Sequence, residues 1–102
     1  MNPLTLKIPK NYKIRYKGFF DETCSECDEW KWCCWHHLIH GKNRRTYSDY
    51  YDLVKPVCID CHDRIHHLHE LDNKYKIIGQ EMFEEEYTRQ DFGMIFGRNY
   101  IL

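Results

Sequence analysis

A small α+β fold, a ββα unit with additions at both ends, is predicted by three features of this sequence. Two C-x2-C pairs, Cys24 with Cys27 and Cys58 with Cys61, are separated by 30 residues. Between them lie two runs of strand length, at 32–39 and 53–57. The second pair opens directly into a segment with helical spacing. The chain of 102 residues is one small domain. With 42% hydrophobic and 30% charged residues, 5 Gly and 3 Pro, it is neither disordered, collagen-like nor low-complexity. No apolar stretch approaches the roughly 18 residues that cross a bilayer. Met1-Asn2-Pro3-Leu4 lacks a signal-peptide core, so a cytoplasmic protein without a membrane partner is expected.

Taken in order, residues 1–20 carry Lys7, Lys10, Lys13, Arg15 and Lys17 without an acid, and Tyr12, Ile14 and Tyr16 alternate among them. That pattern predicts a basic arm containing a short strand. After the Cys24 turn, the aromatic run 32–39 suits a strand. The polar stretch 40–49, which includes Gly41-Lys42-Asn43-Arg44-Arg45, reads as a loop. A second strand is expected at 53–57, with Pro56 indicating an edge or exit position. Asp60 can cap a helix over 61–71 whose apolar side holds Ile65, Leu68 and Leu71. A further helix fits 74–87, with Ile77, Ile78, Met82 and Phe83 inward and Glu81, Glu84, Glu85 and Glu86 outward, although Gly79 counts against it. Thr88-Arg89-Gln90-Asp91 is the pattern of a capping box, and Gly97 closes that last helix. These elements divide the chain into an arm (1–23), a core (24–72) and a helical extension (73–102).

A mean hydropathy of −0.78 in so short a chain calls for something besides apolar burial to hold it together. Two C-x2-C turns each present two thiolates to one ion and together close a tetrahedral four-thiolate site, so a structural Zn2+ is expected on Cys24, Cys27, Cys58 and Cys61. Two disulfides are the competing reading. Cys33 and Cys34 are adjacent among Trp30, Trp32 and Trp35 and face opposite sides of a strand, which suits small buried thiols rather than a shared site.

The second pair runs into Cys61-His62-Asp63-Arg64-Ile65-His66, placing His62 and His66 on one face of a helix. His36-His37 lies on the first strand of the core. Two imidazoles at i, i+4 and one on a facing strand supply three nitrogens to a divalent ion, leaving coordination positions for water and a phosphate oxygen. A fourth imidazole could then take a proton from the water. Consecutive strand residues diverge, so this arrangement requires the strand to end or bend at the doublet. His40, His67 and His69 are expected to be solvent-exposed or internally satisfied.

Cys24-x2-Cys27, His36-His37 and Cys58-x2-Cys61-His62-x3-His66, together with Gly41-Lys42-Asn43-Arg44-Arg45 and Leu53-Val54-x-Pro56-Val57, resemble the HNH endonucleases of the ββα-metal fold with a four-cysteine zinc. The motif covers residues 24–66, and the layout through Phe96-Gly97-Arg98-Asn99-Tyr100 is similar to small prophage-encoded HNH proteins of a bacterial host. The resemblance implies His37 as general base and His36 as a ligand of a catalytic Mg2+ or another divalent ion. It implies His62 and His66 as the remaining ligands, or one of them as a contact to the scissile phosphate. The family's middle Asn, which orients the base, has no counterpart in Ser48-Asp49-Tyr50-Tyr51-Asp52. Asp52 is the closest positional match, and Asp49 or Asn43 could also substitute.

A net charge of −1 excludes a globally basic nucleic-acid binder. Lys42, Arg44 and Arg45 nevertheless follow the doublet and could hold a phosphate backbone, predicting DNA as partner with little sequence specificity. The expected function is metal-dependent hydrolysis of DNA phosphodiester bonds. The alternatives are a non-catalytic zinc module that binds DNA or protein, and a second structural metal site at the histidines.

Overall fold

The computed structural model describes residues 8–101. Strands β1 (Phe19–Thr23), β2 (Trp30–His37) and β3 (Val54–Cys58) form one antiparallel sheet in the order β1-β2-β3. Helices α1 (Arg44–Tyr50), α2 (Ile59–His67), α3 (His69–Glu84) and α4 (Arg89–Phe96) complete an α+β fold. The register pairs Phe19 with Cys34 and Thr23 with Trp30 on one side of β2. On the other side it pairs Cys33 with Cys58 and His37 with Val54. The central strand therefore carries the imidazole doublet at one end, next to the start of β3. No helix among the described residues is long and apolar enough to cross a membrane.

Four sequence expectations need correction. The arm has no strand within 8–18; the first strand starts at Phe19, and Lys7 lies outside the described residues. The central strand ends at His37 rather than 39, because Leu38 and Ile39 turn inward and are fully buried. The stretch 40–49 is not all loop: it holds most of α1, which starts from a left-handed Asn43 (φ 66°). This helix has no apolar stripe to betray it. Its buried residues are Ser48 and Asp49, and Ser48 Oγ accepts the Ile39 N–H at 3.1 Å. Finally, the helix expected over 61–71 is broken at Leu68 (ψ 106°), and α3 takes up the chain from His69.

The start of α2 also differs from expectation. Its N-cap is Cys58, whose Sγ accepts the Cys61 N–H at 3.4 Å, while Asp60 sits in the first turn, where a carboxylate is favoured by the helix dipole. The capping box at Thr88 and Asp91 forms as the sequence indicates, and Gly97 ends α4 with φ 71°. Gly79 lies inside α3 for a packing reason. A Cβ there would sit 2.9 Å from Leu38 Cβ, so only a bare backbone lets α3 close on the buried Leu38-Ile39 segment. Phe83, Phe92 and Phe96 continue this core outward, with ring centroids 5.4 Å (Phe83–Phe92) and 4.6 Å (Phe92–Phe96) apart. Cys33 is wholly buried and Cys34 partly so.

Candidate functional site

The two cysteine turns meet at the end of the sheet distant from His37. Cys24 follows β1, and its turn is closed by Cys24 N–H to Glu29 O and Asp28 N–H to Cys24 O, both 2.9 Å. Cys58 ends β3 and Cys61 lies one turn into α2. The four Sγ atoms lie within 4.8 Å of one another, and all six cysteines of the chain are free thiols. Zn–S bonds of about 2.3 Å in a tetrahedron separate sulfurs by about 3.8 Å, so the cluster needs only a small contraction to hold zinc. Main-chain amides already point at the sulfurs. Cys24 Sγ accepts N–H groups of Cys58 at 3.3 Å, Glu26 at 3.4 Å and Cys27 at 3.5 Å. Burial raises the Cys24 pKa, but these donors outweigh it and bring the thiol down to about 7, close to the thiolate a metal requires. Burial and the neighbouring thiols push Cys61 the other way. The chemistry of the donor set fits zinc.

At the opposite end of β2, His36 and His37 diverge as strand neighbours must, each toward a different helix. His36 is 1% exposed, and its Nε2 has no hydrogen-bond partner among the described residues. Its ring faces His62 at 5.2 Å and His66 at 5.5 Å, measured between centroids. Four-residue spacing on α2 brings His62 Nε2 and His66 Nε2 to 3.1 Å. One ring nitrogen from each of the three histidines lies within 4.8 Å of the others. A divalent ion bonded at about 2.1 Å places adjacent nitrogens about 3.0–3.4 Å apart, so this triad also fits an ion. A buried imidazole nitrogen without a partner is costly, and a metal would satisfy it. Three nitrogen donors suit a borderline transition-metal ion better than Mg2+, which prefers oxygen. Burial, then the charges of His62 and His66, lowers the His36 pKa to about 3. Burial likewise lowers His62 and His66, keeping all three in the neutral form that ligates.

His37 faces α1 instead. Its Nε2 lies 2.9 Å from Asp49 Oδ2, in a pair whose side chains are 5% and 0% exposed. Asp49 is held from a second direction by the arm: Oδ1 accepts the Arg15 N–H at 2.8 Å and the Tyr12 hydroxyl, and Oδ2 accepts the Tyr16 N–H at 3.0 Å. Burial would raise the Asp49 carboxyl, but these four donors hold it below its usual range and keep it ionised. Burial lowers His37, and the Asp49 carboxylate only partly opposes that shift.

The partner of His37 is therefore Asp49, the alternative rather than the first positional match. Asp52 is corrected: its carboxylate accepts Arg15 Nη2 at 2.7 Å and the Tyr16 hydroxyl at 2.8 Å, away from His37. Asn43 is corrected as well, since it occupies the N-cap position of α1 without a side-chain cap. Sequence alone ranked these residues by proximity to the second cysteine pair. The unrecognised helix α1 decides the matter, because it turns Asp49 inward and leaves Asp52 beyond its end. Arg15 also reaches Asp49 O at 2.9 Å and Tyr50 O at 3.2 Å, closing the C-terminus of α1. The predicted basic arm thus spends its arginine on a structural strap.

Trp35, His36, His37, His40, Arg45, His62 and His66 line a cleft of about 160 Å³. Of the three cations predicted after the doublet, Arg45 is at this cleft. Arg44 donates Nε to Phe96 O at 3.0 Å, and Lys42 is exposed outside the cleft lining. His40 is satisfied by Asp72 at 2.7 Å and closes the rim beside His66. A larger open groove of about 480 Å³ lies at the α2–α3 joint, but the imidazoles of the triad and His37 are not among its lining residues. Comparisons with protein families, with curated proteins and with solved structures return no match. What the fold and site define is an α+β domain with a four-cysteine cluster able to hold zinc and a separate three-histidine group able to hold a second ion.

Proposed function

We propose that this protein is a metal-dependent endonuclease of the HNH type that hydrolyses DNA phosphodiester bonds. One observation carries the reading: the cleft lined by His36, His62 and His66, with the buried His36 Nε2 unpartnered among the described residues, is also lined by His37, which pairs with a buried carboxylate. The order β2, β3, α2 and the resemblance of the motif residues support it.

The division of labour follows from the donors. Asp49 accepts the His37 Nε2–H, which fixes the tautomer and leaves Nδ1 as the basic nitrogen. His37 takes the proton of the attacking water as the new phosphorus–oxygen bond forms and the ester bond to the leaving oxygen breaks. Asp49 then faces the imidazolium and stabilises it. His36, His62 and His66 would hold a divalent ion, which would polarise the phosphate and neutralise charge on the leaving oxygen. Arg45 at the rim supplies a fixed positive charge for the phosphate backbone. Contacts of this kind to the backbone carry no sequence information, which accords with weak sequence preference.

The test is incubation of the zinc-loaded protein with plasmid DNA and Mg2+, Mn2+ or Ni2+. Nicking is expected, strongest with the transition ions, and His37→Ala should abolish it while circular dichroism and zinc content stay unchanged. Cleavage that survives His37→Ala in a folded protein removes His37 as the base. DNA binding without turnover under any of the ions identifies a non-catalytic module instead.

A further inference from the structure

Beside the histidine cleft runs a strip of apolar surface that the reaction does not require. Phe19 is 58% exposed, Trp32 55% and Ile59 44%, in a chain whose core could otherwise use large apolar side chains. Phe19 and Trp32 lie on adjacent strands and stack on each other, with ring planes 12° apart and centroids at 6.2 Å, both rings exposed. A groove of about 360 Å³ leads from Phe19 past Cys34 and Ile59 to Trp35, Arg45 and His62, and those last three also line the histidine cleft. The groove includes Lys17 and Arg45 and has no carboxylate. Its outer side is of mixed charge: Asp21 is paired with Trp32 in the register, and Asp60 lies with Lys31, Trp32 and Ile59.

We propose that this strip is a stacking platform for one or two unpaired bases of the DNA strand whose phosphate enters the histidine cleft, so the preferred substrate is locally single-stranded DNA. The inference rests on the endonuclease reading above and specifies its substrate. Exposed parallel rings beside cations are what a single strand uses: each base has a face to stack, while the cations track the phosphates. In a duplex those faces are already stacked on neighbouring bases, and only the edges and backbone remain available. Continuity with the cleft through Arg45 and His62 sets the strand's path, with its phosphate at the imidazoles and the adjoining base over Phe19 and Trp32. With only Phe19 and Trp32 stacked here, and Asp21 and Asp60 offsetting Lys31 beyond them, the platform suits one or two nucleotides rather than a long tract.

Binding can be read without turnover by placing His37→Ala in the zinc-loaded full chain and titrating it into a fluorescein-labelled 15-nucleotide strand or its duplex, following anisotropy. The single strand should bind more tightly. Trp32→Ala and Phe19→Ala should each weaken that binding about 5- to 100-fold, the range for loss of one stacked base, with duplex affinity little changed. Trp32→Tyr, which keeps a ring, should retain most of the affinity. Single-strand binding unaffected by either alanine variant overturns the proposal, as does an equal loss for duplex. If instead the wild-type protein sediments as a dimer and Trp32→Ala as a monomer, a second copy covers the strip and the proposal fails. Because this assay never requires cleavage, a protein that binds in the expected way but cuts nothing would sink the hydrolytic reading alone.

Discussion

Replacing Asp49 tests both the scaffold and the chemistry, since one buried carboxylate receives four donors. Asp49→Ala strands the His37 imidazole, which at 6% exposure has little access to water, and a buried unmet donor costs about 1–3 kcal/mol. The Tyr12 hydroxyl and the Arg15 and Tyr16 amides can peel away into solvent, so each forfeits only the net value of its bond, about 0.5–1.5 kcal/mol. Together these losses amount to about 2.5–7.5 kcal/mol, a large part of the 5–15 kcal/mol that holds a typical domain folded. For a domain of this size the melting temperature should fall by at least about 10 °C. Tyr12→Phe, which removes a single arm bond, should cost about 1 kcal/mol and serves as the internal scale. Asp49→Asn keeps the shape but turns one oxygen into a donor, so it must face either the Tyr12 and Arg15 pair or the Tyr16 and His37 pair with the wrong polarity. Its DNA cleavage should drop about 10- to 100-fold. Thermal unfolding followed by circular dichroism, with plasmid nicking in parallel, reads both effects. An Asp49→Ala protein melting within about 3 °C of the parent would refute the reasoning, because the carboxylate would then not be the anchor its contacts describe.

Removal of zinc with a chelator, or Cys58→Ser, should unfold the domain. The energy of a structural zinc site, about 10–16 kcal/mol, matches or exceeds what so small a core supplies; native circular dichroism after verified metal loss would contradict this. Under the proposed mechanism, the pH dependence of cleavage follows from His37. Burial holds its pKa below 6.5, and protonation removes the base, so activity should persist at pH 6.5 and fall only as pH drops through the lower value. Asp49→Asn should move that acid limb lower still, because the carboxylate raises the His37 pKa. A half-maximum at or above pH 6.5 under saturating metal would count against His37 as the titrating group.

The cysteine pairs, the doublet and the i, i+4 histidines were legible in the sequence because ligand spacing is a local property. Two thiolates at C-x2-C, or two imidazoles four apart on a helix, converge whatever the rest of the chain does. The objection that strand neighbours diverge was also sound, and the fold resolves it by using the divergence: His36 turns to α2, and His37 turns to α1. What could not be read was α1 itself, a polar helix whose inward face is Ser48 and Asp49 rather than Leu or Ile. Periodicity arguments see apolar stripes and are blind to a face buried through hydrogen bonds. The same blindness hid the arm. Its alternating Tyr12, Ile14 and Tyr16 read as a strand, yet Tyr12 and the Arg15 and Tyr16 amides serve a carboxylate 33–37 positions away. Gly79 was misjudged in the opposite direction, as a flaw in a helix, when it is the point of closest approach to Leu38.

Cys58 is at once the last residue of β3 and the N-cap of α2, so no linker separates sheet from helix. A helix that leaves a strand through a sulfur ligand inherits its azimuth from that ligand. Inserting one residue between Cys61 and His62 would swing both downstream imidazoles by about 100° around the axis and carry them about 1.5 Å along it, out of reach of His36. Length variation in this lineage should therefore be barred from 58–66 and confined to other segments, a constraint visible in indel scanning as a short forbidden window.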